Sequence, residues 1–314
     1  MTQLINSHPK TIMNRRDFLI RSSFFVAGSA LTYPKLLQKI QPEAFTPIRR
    51  NVGIFQGRGG TIGWLADSNA VVAIDSQFPG SARDFISGVK YYSEQNIDTL
   101  INTHHHGDHT AGNPVFRGIV KQIVAHENVP GLQKAAADAQ GNGDEPVYPD
   151  VTYQNEWSLD TGDEVIRLHY YGPAHTGGDS VITFEKANVI HMGDLIFNRW
   201  YPFIDRNGGA SVHNWVTVLE KTVENSDNDT RFIFGHGNSE FGVTGTKQDV
   251  LVMRDFLQKL LDEVQNGLDA GKSKEEITNV ESFPEFPNHI SPGARLSLQT
   301  NLATTYDELK NSRQ

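Results

Sequence analysis

The sequence predicts an α/β chain whose sheets are covered by helices. Three observations predict it: short apolar strands alternate with helical segments from residue 70 onward, turn residues bound each strand, and spacing beyond Lys247 becomes purely helical. Residues 70–75 form an apolar strand closing on a carboxylate, 81–95 read as a helix, and 99–103 and 122–125 read as buried strands. Further strands follow at 164–168, 180–184 and 189–192, then a helix over 213–224 and a strand over 231–234. Val250, Met253, Leu257, Leu260 and Val264 recur every three or four residues, so 246–314 is expected to be a helical appendage packed on a main domain spanning 46–245.

The 314 residues suffice for a large core, and 38% hydrophobic with 21% charged residues is the composition of a folded globular chain rather than a disordered one. The balance of 28 Lys+Arg against 37 Asp+Glu gives a net charge of −9, with no basic stretch interleaved with aromatics, which excludes nucleic acid as an expected partner. Cysteine is absent, so disulfides, thiolate nucleophiles, iron–sulfur clusters and thiolate zinc ligands are excluded together. Any metal must be held by His, Asp or Glu, and the twelve histidines suit zinc, iron, manganese or nickel.

The first residues do not read as part of the fold. Asn14-Arg15-Arg16-Asp17-Phe18-Leu19-Ile20 is a twin-arginine pattern, followed by the apolar run Phe24-Phe25-Val26-Ala27-Gly28-Ser29-Ala30-Leu31. That run is too short to span a bilayer. Residues 1–31 are therefore expected to be a signal peptide cleaved near Ala30. The twin-arginine export machinery would be a partner, the location periplasmic, and no stable membrane anchor would remain after cleavage.

The chemistry concentrates at strand ends. Residues 99–103 run into His104-His105-His106-Gly107-Asp108-His109. In an extended segment alternate residues face one way, so His104 and His106 can converge on one ion while His105 points elsewhere. After the Gly107 turn, Asp108 and His109 can address a second ion. Two ions need more ligands than this motif supplies, since an open zinc site takes about three. Gly172-Pro173-Ala174-His175-Thr176, His191-Met192-Gly193-Asp194 and Phe234-Gly235-His236-Gly237 each place a further candidate in a glycine-containing turn. Three adjacent histidines and an aspartate would be costly to desolvate without a metal. His126, His169, His191, His213 and His289 read as structural histidines.

In the order and context of these four segments, the sequence resembles the metallo-β-lactamase superfamily of binuclear hydrolases over roughly residues 50–240. The resemblance implies an αβ/βα sandwich and two Zn2+ ions, with His104, His106 and His175 on the first, Asp108, His109 and His236 on the second, and Asp194 bridging. It also implies that Asp75 steadies the metal loop, a simple strand-end cap being the alternative. An aspartate at 194 is shared with relatives of the glyoxalase II and lactonase kind, whereas cysteine-ligand lactamases differ there. The implied activity is hydrolysis of a small-molecule carbonyl substrate (β-lactam, lactone, ester or thioester) by a metal-bridging hydroxide whose parent water has its pKa lowered toward ~7, with Asp108 orienting it. The alternative is a non-hydrolytic member, such as a mononuclear iron sulfur dioxygenase or a metal-binding accessory protein. The full ligand set for two ions argues against the mononuclear case.

Two segments leave alternatives open. The glycine-rich 56–64 reads as a flap or as a hairpin turn, and matches no Walker or dinucleotide fingerprint. The run Phe197-Asn198-Arg199-Trp200-Tyr201-Pro202-Phe203 either roofs the site and offers Arg199 to an anionic substrate, or serves packing.

Overall fold

The strands gather into two stacked sheets and one short ladder. In the computed structural model, which describes residues 44–141, 145–293 and 296–313, the first sheet runs in spatial order β1 (Phe45–Arg49), β2 (Val52–Phe55), β3 (Ile62–Ala66), β4 (Val71–Ile74), β5 (Ile97–Ile101), β6 (Gln122–His126) and β7 (Val151–Tyr153). Neighbours up to β4 are antiparallel, and those from β4 to β7 are parallel. Helices α1 (Pro79–Val89), α2 (Gly107–Thr110), α3 (Asn113–Phe116) and α4 (Val129–Gln140) lie in the parallel crossovers.

The second sheet comprises β8 (Glu156–Asp160), β9 (Val165–His169), β10 (Val181–Phe184) and β11 (Val189–His191), continued by β13 (Arg231–Ile233) and β15 (Thr244–Gly245). Between them β12 (Phe197–Asn198) pairs with β14 (His236–Gly237). Helix α5 (Val212–Glu224) precedes β13, and α6 (Lys247–Asp269), α7 (Lys274–Thr278) and α8 (Leu298–Ser312) complete the chain. Among the described residues no helix is long and apolar enough to cross a membrane.

Strand alternation explains the layering. Val72 and Ile74 enter a cluster with Leu168, Ile182 and Phe184 of the other sheet, whereas Val71 and Ala73 face Ala82, Phe85 and Val89 of α1. Because both faces are covered, β4 is apolar throughout. On the far side, Val181, Ile190 and Phe232 pack with Trp215 and Leu219 of α5, Met253 and Leu257 of α6, and Leu302 of α8. The layers are thus helix, sheet, sheet, helix, the αβ/βα sandwich, with the C-terminal segment helical as the spacing predicts.

Helix α1 stops at Val89 rather than running to 95, because the chain turns back there: Tyr92 packs 4.6 Å from the Trp64 ring and Ser93 Oγ donates to the Asp67 carbonyl at 2.8 Å. Strands β1 to β3, β7, β8 and helix α4 were not expected from the pattern. The glycine-rich 56–61 joins β2 to β3 as a hairpin connection. The twin-arginine segment 1–31 lies outside the described residues.

Candidate metal centre

The site forms where loops following β5, β9, β11 and β13 meet. His106 is the last extended residue (ψ 148°) before α2, and the switch to helix at Gly107 swings Asp108 and His109 away from His104 and His106. Asp194 sits in a 3-10 turn, Gly193–Leu195, after β11. His236 follows β13, and His175 follows β9.

All seven residues expected from the sequence come together, in two groups. His104, His106, His175 and Asp194 present donor atoms within 4.8 Å of one another, and Asp108, His109 and His236 do the same. Asp194 lies between the groups: its Oδ1 is 3.0 Å from His109 Nε2, and its Oδ2 is 3.4 Å from His236 Nε2, 3.6 Å from His175 Nε2 and 3.9 Å from His104 Nε2.

The outward nitrogens show which way the rings are charged with protons. His175 Nδ1 donates to the Phe203 carbonyl at 2.8 Å, and His106 Nε2 donates to Asp205 at 2.9 Å. His109 Nδ1 donates to Asp75 at 2.7 Å. Thr103 Oγ1 gives its proton to Asp75 at 2.7 Å, so it accepts from His104 Nδ1 at 3.0 Å. His104, His106 and His175 therefore spend their N–H outward and turn lone pairs inward, whereas burial opposes protonation of His109 but Asp194, Asp108 and Asp75 outweigh it and hold that ring charged, its Nε2 toward Asp194. His106 Nδ1 faces His175 Nε2 at 3.0 Å, and the buried His104 Nε2 has no hydrogen-bond partner among the described residues. Lone pairs crowded together and orphaned in a buried site are stabilised by a cation between them, so this donor set fits metal ions.

Electrostatics divide the two groups. Burial, reinforced by neighbouring histidines, pushes His175 down to about 3 and His104 well below the usual range, so both are neutral donors. Burial opposes protonation of His236 as well, but Asp194 and Asp108 outweigh it and raise it to about 9. Burial likewise works against ionisation of Asp108, yet His109 and His236 hold it at about 2. The second group is a tight charge cluster in which a dication would replace protons.

Glycines let other segments approach. A Cβ on Gly60 would stand 2.1 Å from His109 Cε1, and one on Gly235 would stand 2.0 Å from Asp194 Oδ1. The 56–61 connection is pinned over the centre, with Gly60 N donating to the Asp108 carbonyl at 3.1 Å and Thr61 N to the Gly235 carbonyl at 3.0 Å.

Other residues stand around these groups, and one of them, Asp205, escaped the sequence reading. Asp75 accepts from Thr103 N, Thr103 Oγ1 and His109 Nδ1, so it stands behind the metal loop rather than merely closing a strand. Asp205 carries no motif and lies 99 residues from His106. His105 stays out of these two groups, but with His106 and Asp205 it forms a third set of donor atoms within 4.8 Å of one another, its Nε2 being 3.5 Å from Asp205. The aromatic run does line the centre: Phe197 and Trp200 stack on His236 at 5.4 and 5.9 Å, and Phe203 lies 5.5 Å from His106. Arg199 is turned away from it, paired with Asp249 at 3.0 Å and lying over Phe241, so it is not offered to substrate. The C-terminal helices brace this wall: Asn301 donates to the Pro202 carbonyl at 2.7 Å, and Glu308 accepts from Val212 N at 2.9 Å and Arg206 Nη1 at 3.2 Å. His126, His169, His191, His213 and His289 fall outside both groups.

A four-layer sandwich with a buried His/Asp cluster at its strand ends is the architecture of a metal-binding protein. The chain belongs to the metallo-β-lactamase superfamily, whose family model matches residues 57–236. It is 30% identical over 138 residues to the 2,4-dinitroanisole O-demethylase subunit alpha of Nocardioides sp. (strain JS1661), and spans 40% of that protein's length. Among solved structures it is similar to a metallo-β-lactamase from Pontibacter korlensis (TM-score 0.56, 16% identity, 68% of this chain and 98% of that one). It is also similar to the stereoselective inverting sec-alkylsulfatase Pisa1 from Pseudomonas sp. (TM-score 0.69, 15% identity, 84% of this chain and 50% of that one). At these identities the likeness is one of fold.

Proposed function

We propose that the chain is a binuclear zinc hydrolase of small-molecule carbonyl substrates, with His104, His106 and His175 holding one ion, Asp108, His109 and His236 the other, and Asp194 between them. The observation that carries this is the set of four imidazoles whose outward N–H groups are all satisfied while their inner nitrogens converge. Bound there, two divalent ions supply Lewis acidity and a water acidified toward a pKa of ~7.

The chain's own residues do the rest. The Asp108 side chain is 33% exposed, the most open carboxylate of the cluster, and is ionised at neutral pH, so it can accept a hydrogen bond from the attacking water and orient it. Phe203 and Trp200 wall the approach with apolar surface that excludes water and holds an organic substrate against His106 and His236. Residues 1–31 direct twin-arginine export to the periplasm.

β-Lactam, lactone, ester and thioester substrates all meet these requirements. The relatives named above add alkyl sulfates and aryl methyl ethers as a second reading. Metal analysis together with turnover on a panel of these six classes tests the proposal. Two zinc ions per chain, with turnover lost to a chelator and restored by zinc, is the expected result. One iron and no hydrolysis would overturn it in favour of a non-hydrolytic member.

A further inference from the structure

Between the 56–61 connection and β14, beside His236, lies a cavity of about 170 Å³. It borders the centre directly: His236 lines it, and Gly60 and Gly235 in its wall lie against His109 and Asp194. The wall is preformed. Gly60 N and Thr61 N donate to the Asp108 and Gly235 carbonyls at 3.1 and 3.0 Å, Arg58 N donates to Ser81 Oγ at 2.9 Å, and Gln77 Nε2 donates to the Gly60 carbonyl. Trp200, also in the wall, is tied to Ile290 by a parallel bridge. A site already held in shape costs little ordering to fill.

The cavity is neutral and flat-sided. Gly57, Gly59, Gly60, Gly235 and Gly237 line it, so peptide planes form much of the wall, and Trp200 and Val243 add apolar side chains. Thr61 Oγ1 and Gln77 Nε2 are spent on the Gly235 and Gly60 carbonyls. Among the described residues no Lys, Arg, Asp or Glu stands in the lining. An apolar cavity of about 150 Å³ takes up benzene, so this one has room for a single six-membered ring and not for a fused pair.

We infer, resting on the hydrolase reading above, that this cavity receives the leaving group of the substrate, which is an aryl ester departing as a one-ring neutral phenol. The water oxygen bonds to the acyl carbon, the acyl C–O bond breaks, and its electron pair stays on the aryl oxygen, which takes a proton from the water; a carboxylic acid and a phenol are the products. Charge develops on that aryl oxygen, and the cavity offers it no cation. The oxygen therefore stays at the Asp108–His109–His236 group while the ring alone enters beside Trp200. The acyl part is left the Phe203 side, where that ring is 42% exposed and sets no size limit.

Two measurements on the full, zinc-loaded chain test this. Fluorobenzene, which is ring-sized and has no group that ligates a metal, is titrated with fluorine NMR detection, and is expected to saturate one site with a Kd of about 1 mM or tighter. Val243→Phe should abolish that binding by filling the cavity, and Trp200→Ala should weaken it about 5-fold or more by removing the aromatic wall. Circular dichroism establishes that both variants are folded. In the second measurement, kcat/KM is compared for phenyl acetate, ethyl acetate and phenyl hexanoate. The phenyl-to-ethyl ratio should fall about 10-fold in Val243→Phe while the acetate-to-hexanoate ratio holds, a split that a merely structural role would not produce. No saturation by fluorobenzene, or binding unchanged in both variants, would overturn the ring pocket. A shift in the acetate-to-hexanoate ratio instead would overturn its assignment to the leaving group. Variant-sensitive fluorobenzene binding without turnover of any ester would refute the hydrolase reading, and the leaving-group role with it, while leaving the ring pocket standing.

Discussion

Asp75→Asn is the substitution in which one atom exchange should reach both metal positions. Asp75 is fully buried, and its left-handed backbone (φ 68°) is one that asparagine also adopts, so the variant can keep the fold. Thr103 N donates to Oδ1 at 2.7 Å and therefore holds an acceptor there. The amide NH2 then replaces Oδ2, opposite Thr103 Oγ1 and His109 Nδ1, both of which donate in the parent at 2.7 Å. Relief requires His109 Nδ1 to become an acceptor, which moves its proton to Nε2, the atom that should hold an ion. It also requires the Thr103 proton to turn toward His104 Nδ1, which sends the His104 proton to Nε2 as well. Losing such an outer partner typically costs 10–100-fold in metal affinity, about 1.4–2.7 kcal/mol. The His109 ion should carry most of this because its contact with Asp75 is direct, and the His104 ion less because its contact passes through Thr103. Competition titration of stripped protein against a chromophoric zinc chelator resolves the two affinities. Thr103→Val serves as the control, and should weaken only the His104 site. Parent affinities at both sites in Asp75→Asn would refute the proton chain.

Asp194→Asn removes the charge between the groups and should empty the Asp108–His109–His236 site before the other, which keeps three histidines; turnover should fall by orders of magnitude, and two retained zinc ions with near-normal turnover would rule out the bridging role. His289 lies stacked 4.7 Å from Phe256, and burial with Arg199 nearby pushes it down to about 4. The unfolded chain takes that proton near 6.5, so the stability involved is complete above about pH 6.5 and is lost as pH falls toward 4, at most about 3 kcal/mol. Urea unfolding of His289→Phe and the parent at pH 7.5 and 4.5 should show a smaller pH loss in the variant; equal losses would contradict the assignment. Replacing Arg15 and Arg16 together by Lys should leave the precursor in the cytoplasm, read by fractionation, whereas undiminished periplasmic recovery would remove the export reading.

What was legible in the sequence is what short-range geometry encodes. Alternation placed β4, β5, β6, β9, β10 and β11, and three-and-four spacing placed α6. The first three strands were hidden because the glycine-rich connection at 56–61 breaks the pattern, and two of its glycines are required by neighbours distant in sequence, Gly60 by the His109 ring and Gly59 by the Asp108 carbonyl. The convergence itself is tertiary. Asp75 and His109 are 34 residues apart and His106 and Asp205 are 99 apart, joined only because two sheets stack and their loops share one rim. The same stacking decided between two readings that the local sequence left open: Arg199 stands beside the centre in the chain but spends its charge on Asp249 of α6. Local pattern specifies which way a side chain leaves its own strand or helix, whereas the partner it meets depends on how separately formed layers pack, and no local period carries that information.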